Sequence, residues 1–243
     1  MAAKAAPECT LWAVKTLAAD LTTMRWSWAA AWGCGLAHRR EAGWRRIVVT
    51  KSRRGLHRSM NDSRSAVPVL ADLVQPPVGH PWVVDWSAVE TKLGSGLPSD
   101  YKEYVTRFGP GFLEKDYIRI AMPGIPDEWG RNYEFFDHVR LGSIRLRASR
   151  EGVVYPIWPE PGGLLSWGAT CYADMFYWDT SPGHPDRWTV VACTRGRYEW
   201  FSFAGSMSQF LVALLTRRIT VPFLVADLGA PPRPFEPDDR RRL

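Results

Sequence analysis

The chain has 243 residues with 31 Lys and Arg against 25 Asp and Glu, so its net charge at pH 7 is +6. That length allows one domain of ordinary size with extensions, or two small ones. The excess positive charge lies in residues 1–59, which hold 11 Lys and Arg against 3 Asp and Glu, whereas the remainder holds 20 against 22. The basic balance therefore does not point to a nucleic-acid or membrane partner for the folded part, and we expect neither.

Residues 1–81 are predicted to be a basic, disordered leader followed by a Pro-rich linker. The first 59 residues are rich in Arg, Trp and Ala without a sustained period, which is typical of solvated chain. Met60 is the first residue of the segment MNDSRSAVPVLADLV and is the expected initiator methionine. A targeting role is the alternative, but the apolar run at 26–37 is shorter than the roughly 20 residues of a membrane-spanning helix. Residues 61–81 are predicted to be extended because of their prolines.

The first organised element is a short helix that begins after Asp85. This carboxylate can cap a helix whose apolar positions Trp86, Val89 and Leu93 are spaced i, i+3 and i+7. Gly94 suits a left-handed exit from that helix. The spacing predicts one wet face and one face that packs on other elements.

A second helix is predicted directly after the turn GSG. Pro98 suits its first position, where a missing N–H costs no helical hydrogen bond. Its apolar stripe is Leu97, Tyr101, Tyr104, Val105 and Phe108, ending at Gly109. The two helices are therefore predicted to form a hairpin that packs on a sheet.

The second half of the chain predicts that sheet. Ile118, Ile120 and Met122 alternate with Arg119 and Ala121, which indicates a half-buried strand. The later runs VVYPIW, LLSWG, ADMFYWD, WTVVAC and YEWFSF are short and rich in aromatic or β-branched residues, with turns between them. Short turns between neighbouring strands are typical of an antiparallel meander.

A last helix and a charged tail close the chain. Ser206 and Gln209 predict a capping box, and the buried face of the helix is Phe210, Leu211, Leu214 and Leu215. Residues 129–152 favour neither helix nor strand, and residues 225–243 are predicted to be disordered. The element order predicts an α+β domain over residues 82–224, with an N-terminal helical hairpin and a C-terminal helix packed on a mainly antiparallel sheet.

No pattern in the sequence indicates catalysis, a cofactor or a metal centre. The five histidines are scattered, and HExxH, GxSxG, P-loop and dinucleotide motifs do not occur. Asp174, Asp179 and Asp186 are the acids that the meander is expected to bring together, and paired carboxylates can do acid–base work or hold a cation. Turn acids more often accept hydrogen bonds from backbone N–H groups, and we expect that role. Buried thiols are expected at Cys171 and Cys193.

Aromatic residues crowd the β half of the chain. Neighbours such as Tyr177 and Trp178 point to opposite faces of a sheet. One face meets the helices, and the other is expected to lie under the C-terminal segment or to be partly exposed. Exposed aromatics mark protein-binding surfaces, although core packing is the alternative for each Trp. The predicted partner-binding residues are Trp167, Asp174, Tyr177, Trp178, Asp179, Asp186 and Trp188.

Residues 85–109, with W-x-x-V-E-x-x-L-G, L-P-x-D-Y-K-x-Y and F-G-P-G, resemble the opening of the SUKH superfamily, in particular its Smi/Knr-like branch. The later YPIWPEPGGLLSWGAT, FYWDT, PDRWTVV and SMSQFLVALL are similar to the β meander and last helix of that branch. The resemblance covers roughly residues 82–222. Such sequences often have Gly-Asp before the FYW strand, where this chain has Ala173 and Asp174.

The resemblance implies an α+β protein-binding module without enzymatic activity. Many bacterial members are immunity proteins that neutralise a cognate toxin, often a nuclease, in the producing cell. Fungal relatives act as scaffolds in cell-wall regulation and signalling. We therefore expect a monomeric, cytoplasmic immunity protein of bacterial type that binds a toxin, with a scaffold or regulatory protein as the alternative.

Overall fold

The computed structural model of the chain describes residues 65–79, 81–124, 134–148, 155–196, 199–225, 228 and 231–238. The predicted basic leader and Met60 lie outside the described residues. The helices are α1 (Val67–Val74), α2 (Trp86–Leu93), α3 (Ser99–Phe108), α4 (Glu134–Arg147) and α5 (Met207–Leu215). The strands are β1 (Gly111–Leu113), β2 (Ile118–Ile120), β3 (Leu164–Thr170), β4 (Met175–Asp179), β5 (Thr189–Cys193), β6 (Trp200–Phe203) and β7 (Glu236–Pro237).

The seven strands of the described residues belong to one sheet in the order β6-β5-β4-β3-β2-β1-β7, and each neighbouring pair is antiparallel. Strands that follow each other in sequence are neighbours from β1 to β6, because short turns connect most of them. Helices pack on this sheet, so the predicted α+β class is confirmed.

Local signals place α2 and α3 close to their predicted positions. The Asp85 carboxylate accepts a hydrogen bond from the Ala88 N–H at 3.0 Å, and Gly94 ends α2 with a φ of 78°. The helix α3 begins at Ser99, one residue later than predicted. Pro98 keeps an extended ψ of 139° and therefore occupies the capping position instead of the first helical one.

The helix α3 buries the predicted apolar stripe against the sheet. The five stripe residues are at most 4% exposed: Leu97, Tyr101, Tyr104, Val105 and Phe108. The Tyr101 hydroxyl donates a hydrogen bond to the Ala121 carbonyl at 2.6 Å. Its ring lies edge-to-face on Trp178 with the ring centroids 5.1 Å apart. The helical hairpin thus covers one face of the sheet, as predicted.

Residues 134–147, which fall in the segment that the sequence left undecided, form the helix α4. Its inward positions are spaced i, i+4, i+7 and i+11, which is a helical period. They are Phe135, Val139, Gly142 and Leu146.

The helix α4, and not the C-terminal segment, covers the second face of the sheet from β3 to β5. The expectation that this face is partly exposed holds only at β6, where Trp200 is half-buried and Ser202 is exposed. Leu146 packs with Met175, Tyr177 and Val191 in a second apolar cluster. Close approach of α4 needs a glycine at Gly142, because a Cβ there would lie 2.5 Å from the Cβ of Ser166 in β3.

The prediction of an extended linker over residues 61–81 is wrong where α1 forms. Ser65 Oγ accepts a hydrogen bond from the Val67 N–H at 3.1 Å at the start of this helix. The Ala66 N–H donates to Ser208 Oγ of α5 at 3.1 Å. The buried side chains of α1 follow the spacing i, i+3, i+4 and i+7 and are Val67, Leu70, Ala71 and Val74. The helix is stable because α5 provides an apolar partner for this stripe.

The prediction of a disordered tail over residues 225–243 is also wrong for its described part. Glu236 and Pro237 form β7, which pairs with β1 at the edge of the sheet. Phe235 is only 5% exposed. One buried aromatic ring, together with pairing to β1, therefore holds a segment whose composition is otherwise polar and Pro-rich.

Candidate protein-binding surface

The aromatic residues predicted to bind a partner lie inside the protein. Trp167, Tyr177 and Trp178 are 0% exposed, and Trp188 is 3% exposed. Alternation along β3 and β4 does send these rings to both faces, but helices cover both faces. The prediction that they form a contact surface is therefore wrong, and core packing is their role.

The three predicted acids do not come together. Asp174 precedes β4 and Asp179 ends it, so the length of a five-residue strand, about 16 Å, separates them. Asp186 lies in the connection between β4 and β5, on the side of Asp179. Among the described residues, no group of three or more His, Cys, Asp or Glu side chains could hold a metal ion.

Asp174 is a structural acid with 7% exposure. Its carboxylate accepts hydrogen bonds from Thr170 Oγ1 at 3.0 Å and from the Arg195 N–H at 3.1 Å. These bonds tie the β3–β4 turn to the turn that follows β5. The backbone-satisfying role expected for turn acids is confirmed here.

The residue before it, Ala173, adopts a φ of 67°, which is the left-handed region that glycine favours. The Gly-Asp pair that often precedes the FYW strand would relieve this strain. We expect Ala173→Gly to raise the free energy of unfolding by about 1 kcal/mol. Urea denaturation of the variant beside the unaltered chain measures the difference. A lower stability in the variant would show that the loss of chain entropy in glycine outweighs the strain.

Three connecting segments meet where β4 ends, and residues 95–99, 159–163 and 180–188 are together named the sheet-end surface. Most of residues 181–187 and 159–161 are exposed. Polar loops carried by a rigid sheet are the usual positions of binding residues. This region contains Asp186 and adjoins Asp179, so two of the seven predicted residues remain candidates for partner contact.

Hydrogen bonds hold the sheet-end surface together. Thr180 Oγ1 donates to the Gly163 carbonyl at 2.9 Å. The Ser99 N–H, at the start of α3, donates to Asp186 Oδ1 at 2.7 Å. Because the side chain of Pro98 has no hydrogen-bond acceptor, Asp186 supplies the capping carboxylate for α3 from a distant part of the sequence.

Asp186 is ionised at neutral pH. Partial burial raises its pKa, but hydrogen bonds from Ser99 and the nearby charges of His184 and Lys102 outweigh burial, so the pKa lies below its ordinary value. A negative charge at a helix N-terminus is also favoured by the helix dipole. The acid therefore stabilises the surface and leaves part of its carboxylate open to solvent.

Replacing Asp186 by alanine removes the acceptor that caps α3. We expect Asp186→Ala to lower the free energy of unfolding by about 1 kcal/mol. Asp186→Asn keeps a side-chain oxygen and is expected to lose less than Asp186→Ala. Thermal melts of both variants test this order, and equal losses would contradict the capping role.

His138 is half-buried with its Nε2 atom enclosed, and its surroundings do not resemble a proton-transfer site. Burial lowers its pKa to about 4, a hydrogen bond with the Gly168 backbone raises it, and the charges of Arg145 and Arg119 lower it further. Its Nε2 atom has no hydrogen-bond partner among the described residues. The ring is neutral at pH 7 and packs between α4 and the sheet.

This depressed pKa makes the fold sensitive to acid. The unfolded chain binds a proton near pH 6.5, whereas the folded chain binds it only near pH 4. Stability is therefore complete above pH 6.5 and falls as the pH drops towards 4, by about 3 kcal/mol. His138→Asn removes the titrating group, and its free energy of unfolding should decline less over this range. Parallel pH dependence in both proteins would contradict the assignment.

The two described cysteines, Cys171 and Cys193, are thiols, with Cys193 buried. The expectation of a buried thiol is confirmed for Cys193, and Cys171 is partly exposed. None of the described helices is both long and apolar enough to cross a membrane.

The fold and the surface define an α+β domain whose described polar side chains mainly cap helices and tie turns. A family model for SUKH_6, the SMI1-KNR4 cell-wall family, matches residues 84–211, which is more than half of the chain. The chain therefore belongs to this family, and the predicted resemblance to Smi/Knr-like proteins is confirmed. No curated protein and no solved structure matches the chain.

Proposed function

We propose that this domain is a non-enzymatic protein-binding module that neutralises a cognate polymorphic toxin in the cytoplasm. The observation that carries the proposal is membership of the SMI1-KNR4 family over residues 84–211. Bacterial SUKH proteins commonly act as immunity proteins. The burial of the aromatic residues supports a rigid scaffold that presents loops, which is the usual architecture of a binding module.

The sheet-end surface is the contact region that we propose for the toxin. It combines rigidity with exposure, since Asp186 ties it to α3 while residues 181–184 remain exposed. Its exposed charges include Glu160 and Arg187. Opposite charges at the rim of an interface mainly raise the rate of association and the specificity for one partner.

Co-expression with the toxin domain encoded beside the gene tests the proposal, with growth rescue and complex formation as the readouts. The unaltered chain should rescue growth and co-purify with the toxin. The double variant Glu160→Lys with Arg187→Glu should lose both. The matched control Lys115→Glu changes an exposed charge in the β1–β2 turn, at the other end of the sheet, and should retain both. Loss in the control alone would place the interface elsewhere.

A scaffold or regulatory protein without a toxin partner is the second candidate. The family description refers to the cell wall, which favours this role. A scaffold would bind several partners weakly, and no neighbouring toxin would be neutralised. Affinity purification from the native cell separates the two roles, because an immunity protein should yield one dominant, tightly held partner.

A further inference from the structure

The C-terminal segment 231–238 lies along β1 as an extended peptide. Gly111 is opposite Pro237 and Phe112 is opposite Glu236 in an antiparallel register. The Asp238 N–H donates to the carbonyl of Pro110 at 2.9 Å. This arrangement has the geometry of strand addition, in which main-chain hydrogen bonds hold an extended segment at a sheet edge.

One aromatic ring anchors the segment. The Phe235 ring lies edge-to-face on the Phe108 ring with the centroids 5.3 Å apart. The backbone N–H of Phe235 donates a hydrogen bond to the Val74 carbonyl at 2.5 Å. The ring occupies the place that a side chain at Gly111 would take, since a Cβ there would lie 2.3 Å from its Cζ atom. Absence of a side chain at Gly111 thus creates the pocket.

Polar contacts hold the segment on either side of this anchor. The Arg233 N–H donates to Glu114 Oε1 at 2.9 Å. On the other side of the ring, Asp238 pairs with Arg119 at 3.2 Å. Arg119 also lies over the Phe112 ring, 5.1 Å from its centroid, which helps to fix the guanidinium. The edge of β1 therefore binds a segment that carries an aromatic side chain and, three residues later, an acidic one.

An apolar groove of about 820 Å³ continues from the end of this segment. Pro237 and Asp238 form one border, and residues 106–110 together with residues 76–79, 81 and 82 form the others. Val78 beside it is fully exposed. A bound peptide that continues past the position of Asp238 would extend from the β1 edge into this groove.

The attachment of the segment is limited. Both residues of β7 are exposed, and only Phe235 among residues 231–238 is buried. Segments with few buried apolar contacts open at low free-energy cost. Because the segment is tethered, its effective concentration is of millimolar order, so it excludes weak competitors from the site.

We propose that β1, together with Phe108, Glu114 and Arg119, is a peptide-binding site that the chain's own C-terminal segment occupies. This β1-edge site accepts an extended segment of a partner protein that carries an aromatic residue and, three residues later, an acid. The partner segment displaces residues 231–238 and continues into the groove. The β1-edge site exists whether or not the sheet-end surface binds a toxin.

The test uses the full chain and a fluorescent peptide with the sequence PPRPFEPD of residues 231–238. Phe235→Ala removes the internal anchor, and fluorescence anisotropy should show at least about tenfold tighter peptide binding than in the unaltered chain. A peptide with alanine in place of phenylalanine should not bind. Pro234→Ala, which changes an exposed neighbour, is the matched control and should behave as the unaltered chain.

Circular dichroism checks that Phe235→Ala is folded. If it is not, Asp238→Asn, which removes the charge that pairs with Arg119, tests the same site and should also bind the peptide more tightly. A folded variant that binds neither peptide, or both equally, would overturn the proposal. Light scattering provides a further outcome: a stable dimer of the unaltered chain with exchanged segments would make a second copy the occupant and would also overturn it.

Discussion

Replacing Trp178 by alanine is expected to lower the free energy of unfolding by about 3 to 5 kcal/mol. The indole is 0% exposed and touches three aromatic rings, with centroid distances of 5.1 Å to Tyr101 and 6.0 Å to Trp167 and Trp188. Alanine would leave a large cavity between α3 and the sheet. Urea denaturation measures the loss, and a stable variant with weakened partner binding would restore Trp178 as a contact residue.

The variant Trp178→Phe separates packing from hydrogen bonding. Trp178 Nε1 has no hydrogen-bond partner in the described part of the chain. Phenylalanine keeps most of the ring contacts and removes this unsatisfied donor, whose burial costs about 1 to 3 kcal/mol. We expect a much smaller loss for Trp178→Phe than for Trp178→Ala.

Phe108→Ala is expected to cost a similar amount, about 3 to 5 kcal/mol. Phe108 is 2% exposed, stacks on Tyr104 with the centroids 4.6 Å apart, and touches Phe235 of the C-terminal segment. Its loss should weaken both the last turn of α3 and the attachment of residues 231–238. A melting curve measures the effect on the fold.

Arg107→Ala is the matched control for this position. Arg107 is the preceding residue of the same helix and is exposed. Exposed substitutions of this kind change stability by about 0.5 kcal/mol or less. Equal melting temperatures for Phe108→Ala and the unaltered chain would contradict the packing of α3 on the sheet.

Elements with complete local signals were predictable from the sequence. The helix α2 begins after its cap at Asp85 and ends at Gly94, as predicted. The capping box of Ser206 with Gln209 begins α5. The residues that start or stop these helices lie within one turn of the helix end, so the local sequence is sufficient to predict the helix boundaries.

Elements that depend on distant partners were missed. The apolar stripe of α1 has a helical period, but prolines in the neighbouring sequence favoured the prediction of a linker. This short helix is stable only because it packs on α5. The strand β7 has two residues and depends on β1 and the pocket for Phe235. No local signal in so short a segment distinguishes a strand from a disordered tail.

The positions of the predicted contact residues were likewise only partly predictable from the sequence. Alternation correctly indicated that Tyr177 and Trp178 lie on opposite faces of the sheet. Alternation along the strands could not indicate that α4 covers the second face. That packing depends on the helical state of residues 134–147 and on the absence of a side chain at Gly142. The contact surface that we propose therefore lies on the loops at the sheet end and not on the aromatic strands.

Sequence alone determined the family, the α+β class, the helical hairpin and the buried stripe of α3, because caps, periodicity and side-chain apolarity are properties of neighbouring residues. Tertiary structure decided which aromatic faces are closed, that Asp186 caps α3, and that the C-terminal segment occupies the β1 edge. Each of these depends on two segments far apart in the chain meeting in space, and contact between distant segments is not encoded in the spacing of either one.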